Sequence, residues 1–202
     1  MRIWTLLIAL LALLVGCSDA PAAQQPSARP GEAVAVFAGG CFWCTEADFD
    51  KVPGVISTTS GYTGGKVPQP SYEQVSGGGT GHIEAVRVVF DPKRVSYAAL
   101  LDHFFRTVDP LDSGGQFCDR GYQYRTALFV TPEQRGAALA ATRKASATLK
   151  KPLATLILPA ARFYPAESYH QDYYRKNPIR YRFYRTSCGR DARLKQVWAG
   201  KS

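Results

Sequence analysis

Two cysteines three residues apart, Cys41 and Cys44 in the run Gly40-Cys41-Phe42-Trp43-Cys44, are the residues whose type and spacing first suggest chemistry. A C-x-x-C pair puts two sulfurs on one helical turn and suits either redox cycling or half of a metal site. Cys41 follows an apolar run and two glycines, at the expected first turn of a helix, where unpaired backbone N–H groups and the helix dipole favour negative charge. A thiol in that place is expected to ionise more readily than a free one and to act as a nucleophile. The glycines are expected to let the backbone approach a ligand. A small buried apolar residue, or half of a structural disulfide, would also explain a cysteine there. Zinc would need two further ligands, and Cys118, Cys188 and three histidines form no second close-spaced pair, so no metal is expected.

Glu84 is the second candidate. Alternation along His82 to Phe90 puts it on the same face as Val86, Val88 and Phe90. If that face is the core side, desolvation keeps the carboxyl protonated near neutral pH, as a general acid requires; if it faces water, Glu84 is an ordinary acid. Tyr62, Tyr124, Tyr169 and Tyr173 could line a pocket with hydroxyl donors, although eleven tyrosines in the chain mean that many only pack. His170 fits a helix surface or a core as well as it fits a site.

These residues need a scaffold, and the sequence outlines one. Arg2 precedes an apolar run from Ile3 to Val15, too short to span a bilayer comfortably, which ends in Leu14-Val15-Gly16-Cys17. Residues 1–16 are therefore expected to be a lipoprotein signal peptide and Cys17 the lipidated residue, which puts the chain in the cell envelope, periplasm-facing and membrane-anchored. Residues 17–31, rich in Ala, Pro, Gln and Ser, are expected to be a disordered tether, with one domain over 32–202. Ala33 to Phe37 reads as a strand, Phe42 to Val52 as a helix, Val55 to Tyr62 and His82 to Phe90 as strands. Ser96 caps a helix carrying Leu100, Leu101, Phe104 and Phe105, and Tyr124 to Val130 is a strand. That order is the split β-α-β-β-α-β of a ferredoxin-like α+β sandwich. A capped helix from Thr131 and a strand from Thr155 to Leu158 follow. An irregular tail rich in aromatic residues and Arg, helical around Glu167 to Tyr174 and Arg190 to Trp198, is expected to wrap the sheet. The formal net charge of +9 includes eight basic residues between Arg175 and Lys195, but no nucleic-acid motif accompanies them, so no nucleic acid is expected as partner.

Several motifs in one order resemble the peptide methionine sulfoxide reductase A family: G-C-F-W-C at Gly40 to Cys44, G-Y-T-G-G at Gly61 to Gly65, T-G-H-I-E-A-V at Thr80 to Val86, D-R-G-Y-Q-Y-R at Asp119 to Arg125, and Pro165 to Tyr173. The resemblance implies that Cys41 attacks the sulfoxide sulfur, that Glu84 protonates the departing oxygen, and that Tyr62 and Tyr124 hold that oxygen. Phe42 and Trp43 would accept the methyl group, with Asp119, His170 and Tyr173 completing the substrate pocket. It implies the S epimer as substrate, in peptides or free, no bound cofactor, a sulfenic acid on Cys41, and recycling through a disulfide by a thioredoxin-like reductant. A monomer is expected. Better-known members carry Gly in place of Cys44 and keep their recycling cysteine in a C-terminal tail, which favours Cys188 as the recycling thiol with Cys44 as the alternative. The chain departs from the family at Thr107-Val108-Asp109-Pro110-Leu111, where His often precedes Asp-Pro and Thr follows it.

Overall fold

The computed structural model describes residues 28–201. The expected signal peptide, Cys17 and the tether up to residue 27 lie outside the described residues. Among the described residues no helix is long and apolar enough to cross a membrane.

Strands β1 (Ala33–Gly39), β2 (Val55–Thr63), β3 (Ile83–Phe90), β6 (Thr126–Val130), β7 (Leu156–Pro159) and β8 (Phe163–Pro165) form one sheet in the order β7-β6-β1-β3-β2-β8. β4 (Gly115–Gln116) and β5 (Asp119–Arg120) make a small separate hairpin. The four central strands are antiparallel neighbours, β6-β1-β3-β2, which is the ferredoxin-like arrangement. β7 runs parallel to β6, and β8 extends the β2 edge. The helices are α1 (Phe42–Phe49), α2 (Tyr72–Ser76), α3 (Tyr97–Thr107), α4 (Pro132–Leu149), α5 (Tyr173–Lys176), α6 (Pro178–Ser187) and α7 (Arg190–Trp198).

α1 and α3 cover one sheet face because their apolar side chains meet those of alternate strand residues. Phe37 stacks on Phe49 with centroids 4.5 Å apart and lies 5.5 Å from Phe104, inside a core that includes Val86, Val88 and Phe90. Burying each such side chain contributes about 1.5–3 kcal/mol. Ala38, Ile83, Ala85, Ala127 and Phe129 point to the other face. The Ser96 hydroxyl accepts the Ala99 N–H at 3.1 Å, and Thr131 with Gln134 closes a capping box, so both helices start where the sequence places them.

Boundaries shift where tertiary contacts intervene. α1 stops at Phe49, short of Val52, and residues Tyr122–Tyr124 form a 3-10 turn before β6 begins at Thr126. The helix expected from Glu167 is confined to α5, because Asp172 sits in the left-handed region (φ 53°) with its N–H taken by the Glu46 carboxylate at 3.1 Å. The tail does wrap the domain, through β8 on β2, α5 on α1 and α7 on α3. It carries three helices, and α6, started by Pro178, has no counterpart in the sequence expectation.

Candidate active site

Cys41 is the cap residue of α1, outside the helix itself (φ −47°, ψ 121°), and is 7% exposed. The turn before it needs glycine for a reason the sequence did not suggest. Gly40 has φ 81°, and a side chain there would meet Gln116 Cβ at 2.5 Å, so the close approach is to the β4 hairpin and not to a ligand.

Glu84 lies on the helix-covered face of β3 and is 2% exposed. It is directly opposite Tyr62 in the β2–β3 ladder, so the two side chains share that face. Its Oε2 accepts the Phe42 N–H at 3.0 Å, one of the free donors at the start of α1. The acid is thereby fixed against the residue next to Cys41. Burial pushes the Glu84 carboxyl up to about 8, against the opposing pull of the Phe42 N–H, with the charges of Asp119 and Cys44 adding to the rise. A carboxyl that holds its proton at neutral pH can give it to a departing oxygen.

An aromatic wall rises beside these groups. Phe42 lies 4.9 Å from the His170 ring and 5.8 Å from the Tyr62 ring, and Trp43 stacks flat on Tyr173 at 3.8 Å. Trp43 Nε1 donates to His170 Nδ1 at 2.9 Å, which leaves the imidazole proton on Nε2, and burial lowers the histidine's basicity. His170 Nε2 is itself buried without a hydrogen-bond partner. Tyr62 is fully buried, and its hydroxyl donates to Glu167 Oε2 at 2.9 Å. Tyr124 is half-buried, within electrostatic reach of Glu84 and Cys41. Tyr169, by contrast, is about half exposed.

The thiols behave as a pair, and burial opposes the effect of the helix start. Burial pushes the Cys41 thiol well up, overriding the helix-start effect, and the hydrogen bond to Cys44 adds to this. Cys44 is brought down to about 7 by its interaction with Cys41, with help from the charges of Arg190 and Arg185. The two buried sulfurs thus share one negative charge and one proton.

The tail supplies groups that spacing did not reveal. Tyr184 of α6 donates its hydroxyl to Asp119, touches the Cys41 sulfur, and sets its ring edge-on to Trp43 at 5.6 Å. Asp119, which burial pushes up, is thus tied to the nucleophile through Tyr184. Glu167 anchors the Tyr62 hydroxyl and the Tyr72 N–H. His82 is a strut: its ring accepts the Gly65 N–H at 3.1 Å and donates to the Val67 carbonyl at 2.7 Å, fixing the loop ahead of β3. The only sequence signal for Tyr184, Arg185 and Arg190 was their membership of a basic, aromatic stretch.

Cys188 is placed differently from the expected partnership with Cys41. It is bonded to Cys118, with Cα atoms 4.9 Å apart, while Cys41 and Cys44 are both free and buried. The bond joins the end of α6 to the hairpin that carries Asp119, and it borders a surface cavity of about 590 Å³ lined also by Asp109, Phe117 and Arg193.

With this geometry in view, comparison with known proteins is direct. The family model for "Peptide methionine sulfoxide reductase" matches residues 33–202. Peptide methionine sulfoxide reductase MsrA 2 of Caulobacter vibrioides is 53% identical over 190 residues, covering 94% of this chain and 95% of the relative. The crystal structure of Mxr1 from Saccharomyces cerevisiae in reduced form is similar with a TM-score of 0.72 and 33% identity, covering 76% of this chain and 90% of that one. Mxr1 in complex with Trx2 shares the fold at a TM-score of 0.52 and 21% identity, over 74% of this chain and 91% of that one. The chain belongs to the peptide methionine sulfoxide reductase A family and is an oxidoreductase that reduces methionine sulfoxide.

Proposed function

We propose that the enzyme reduces the S epimer of methionine sulfoxide, in peptides or free, with Cys41 as nucleophile and Glu84 as proton donor. The observation that carries this is the 3.0 Å contact of the Phe42 N–H with Glu84, which sets a proton-holding acid beside the nucleophile. When the shared proton of the thiol pair passes to Cys44, Cys41 is the thiolate and attacks the sulfoxide sulfur. Glu84 protonates the oxygen as the Cys41 sulfur bonds to the methionine sulfur; the hydroxyl then passes to the Cys41 sulfur while the link between the two sulfurs breaks and its electron pair returns to the methionine sulfur, leaving methionine and a Cys41 sulfenic acid. Tyr124, and Tyr62 on turning from Glu167, steady that oxygen, while Phe42, Trp43, His170 and Tyr173 receive the methyl end and Asp119 supports the polar side.

Cys44 is the first recycling thiol in this reading. Its sulfur interacts with that of Cys41 and, because Cys41 lies outside the helix, a bond between them does not require a full turn to unwind. A thioredoxin-like dithiol then restores the pair; the solved complex of Mxr1 with Trx2 supports such a donor. The exposed Cys118 end of the second disulfide offers a further point of exchange. The N-terminal sequence supports lipidation at Cys17 and repair of oxidised proteins at the periplasmic face of a membrane, and a Cys17→Ser chain should then leave the membrane fraction.

The test is turnover of separated sulfoxide epimers with a dithiol. Loss of the S epimer only, abolished in Cys41→Ser, is the expected result; equal use of both epimers contradicts the substrate assignment. With a thioredoxin-like donor, Cys44→Ser should complete one turnover and stall. If Cys188→Ser stalls instead and Cys44→Ser does not, the recycling role returns to Cys188.

A further inference from the structure

The Cys118–Cys188 bond joins two elements that are held to the domain very unequally. The β4–β5 hairpin is rooted. Gln116 is fully buried, its Oε1 accepts the Asp109 N–H at 2.9 Å, and its Nε2 donates to the Asp109 carbonyl at 2.8 Å. Gln116 pairs with Asp119 across the hairpin, and Arg120 grips Asp112 through two hydrogen bonds, so Asp119 sits on an anchored support. α6 buries none of its residues and draws little local stability from packing. Its last turn is tied down by Arg185 on Asp48 at 2.9 Å, by the Tyr184 ring against Trp43, by the Tyr184 hydroxyl on Asp119, and by the disulfide. Cys188 caps the helix, and its N–H donates to the Tyr184 carbonyl at 2.9 Å, so a single turn connects the sulfur to the phenol. At the other end of the bond Cys118 directly precedes Asp119, and both sulfurs lie within 4.8 Å of an Asp119 carboxylate oxygen. Disulfide, helical turn and hydrogen bond thus close a ring around Asp119.

We propose that Cys118 and Cys188 are positioning residues: their disulfide is a redox-sensitive clamp that holds the end of α6 on the β4–β5 hairpin and so keeps Tyr184 seated on Asp119, beside Trp43 and Cys41. This rests on the reading of Cys41 as the nucleophile given above. The clamp opens from outside, because Cys118 is exposed and Cys188 only half-buried. A thiolate of a dithiol attacks the Cys118 sulfur, the bond to Cys188 breaks, and Cys188 leaves as a thiolate that takes up a proton. The second thiol of the donor then displaces Cys118 from the mixed disulfide, so that two electrons have passed to the clamp and the donor ends as a disulfide. A disulfide oxidant closes the clamp by the same exchange in reverse. With the bond open, α6 keeps Arg185 on Asp48 but loses its covalent tie to the support of Asp119, and Tyr184 leaves its seat part of the time. The second cysteine pair thereby has a part separate from recycling, in which neither of its sulfurs has to meet Cys41.

The experiment follows the first, single turnover of methionine sulfoxide, which precedes any recycling, in chains whose bond is cut from either end. Cys118→Ser and Cys188→Ser should each slow it about tenfold, within the 10²-fold that about 1 Å of misplacement can cost. The rising limb of its pH profile should move up in both, as it should in Tyr184→Phe. In a Tyr184→Phe background neither cut should change rate or profile further, because the hydroxyl through which the clamp acts is gone. An unchanged first turnover in the cut chains overturns the proposal, and so does a change that persists undiminished in Tyr184→Phe. Where a cut chain fails to fold, the native chain decides by amide hydrogen exchange: reducing the bond with a dithiol should quicken exchange in residues 178–188 and leave β1 and β3 as they were. Unmoved exchange in α6 overturns the clamp. Because exchange needs no substrate, a failure of the Cys41 reading, seen as turnover that survives Cys41→Ser, is told apart from a failure of the clamp.

Discussion

Helix α1 separates two buried carboxylates that live in opposite surroundings. Glu84, on the sheet side, is packed among aromatic rings with a single backbone N–H as partner, and burial keeps its proton on up to about 8. Asp48, on the tail side, is almost as buried at 5% exposed but is held by Arg185 and Arg190. An acid against an apolar wall stores a proton, and an acid against guanidinium is one end of an ion pair. The enzyme needs both conditions within one turn of helix: a proton for the departing oxygen on one side, and a stable anion on the other. Cys41 and Cys44 stand at the boundary, each facing the environment its step demands.

Removing the stored proton is the change expected to matter most. Glu84→Gln keeps the shape and can no longer donate, so kcat should fall by about 10²- to 10⁴-fold. The pH profile sharpens this. In the native enzyme kcat/KM should rise as the thiol pair ionises through about 7, and fall as pH climbs through about 8 and Glu84 loses its proton. Glu84→Gln should keep the rising limb and lose the falling one; a falling limb that survives would assign the acid to another group. Asp48→Asn attacks the other side. It leaves Arg185 and Arg190 without their common partner, and should cost about 3–5 kcal/mol of stability in denaturant melts. In the same variant Cys44 should ionise at lower pH, since the Asp48 charge opposes its ionisation. Unchanged stability would show that the two arginines are satisfied without it.

The two sides were not equally legible in the sequence, for a physical reason. The sheet side follows largely from short-range periodicity: alternation in His82 to Phe90 groups Glu84 with Val86, Val88 and Phe90 without saying whether that face meets the core or water, and a Gly-Gly turn after a strand marks the start of α1. Six of its elements, β1, α1, β2, β3, α3 and β6, fall in the expected order, and their register brings Tyr62 opposite Glu84. The tail side depends on contacts across about 140 residues of chain, such as Arg185 to Asp48. No local period encodes such a pairing, and a helix of Arg, Tyr and Phe such as α6, which buries none of its residues, shows little apolar stripe to read. The departure at Val108 is equally plain in three dimensions, where that residue is fully buried in the core. What the residues alone do not weigh is the burial of Cys41, which depends on the tail that closes over it, whereas a helix start can be recognised without knowing what covers it.

The smallest expected effect probes the contact that joins the two sides. Tyr184 reaches from α6 to the Cys41 sulfur, and its single hydroxyl hydrogen, given to Asp119 here, opposes the rise that burial imposes on Cys41 when it turns to that sulfur. Tyr184→Phe keeps the ring against Trp43 and deletes only the hydroxyl, so the fold should hold and kcat/KM should drop about tenfold, the worth of one hydrogen bond to a charged group. The rising limb of the pH profile should move up in parallel, since Cys41 loses the group that favours its anion. A rate that increases instead would mean that the hydroxyl obstructs the sulfoxide more than it supports the thiolate. Because Cys188 follows Tyr184 by one helical turn and is bonded beside Asp119, the Cys118–Cys188 bond would then hold the obstruction in place, and Cys188→Ser should raise the rate as well.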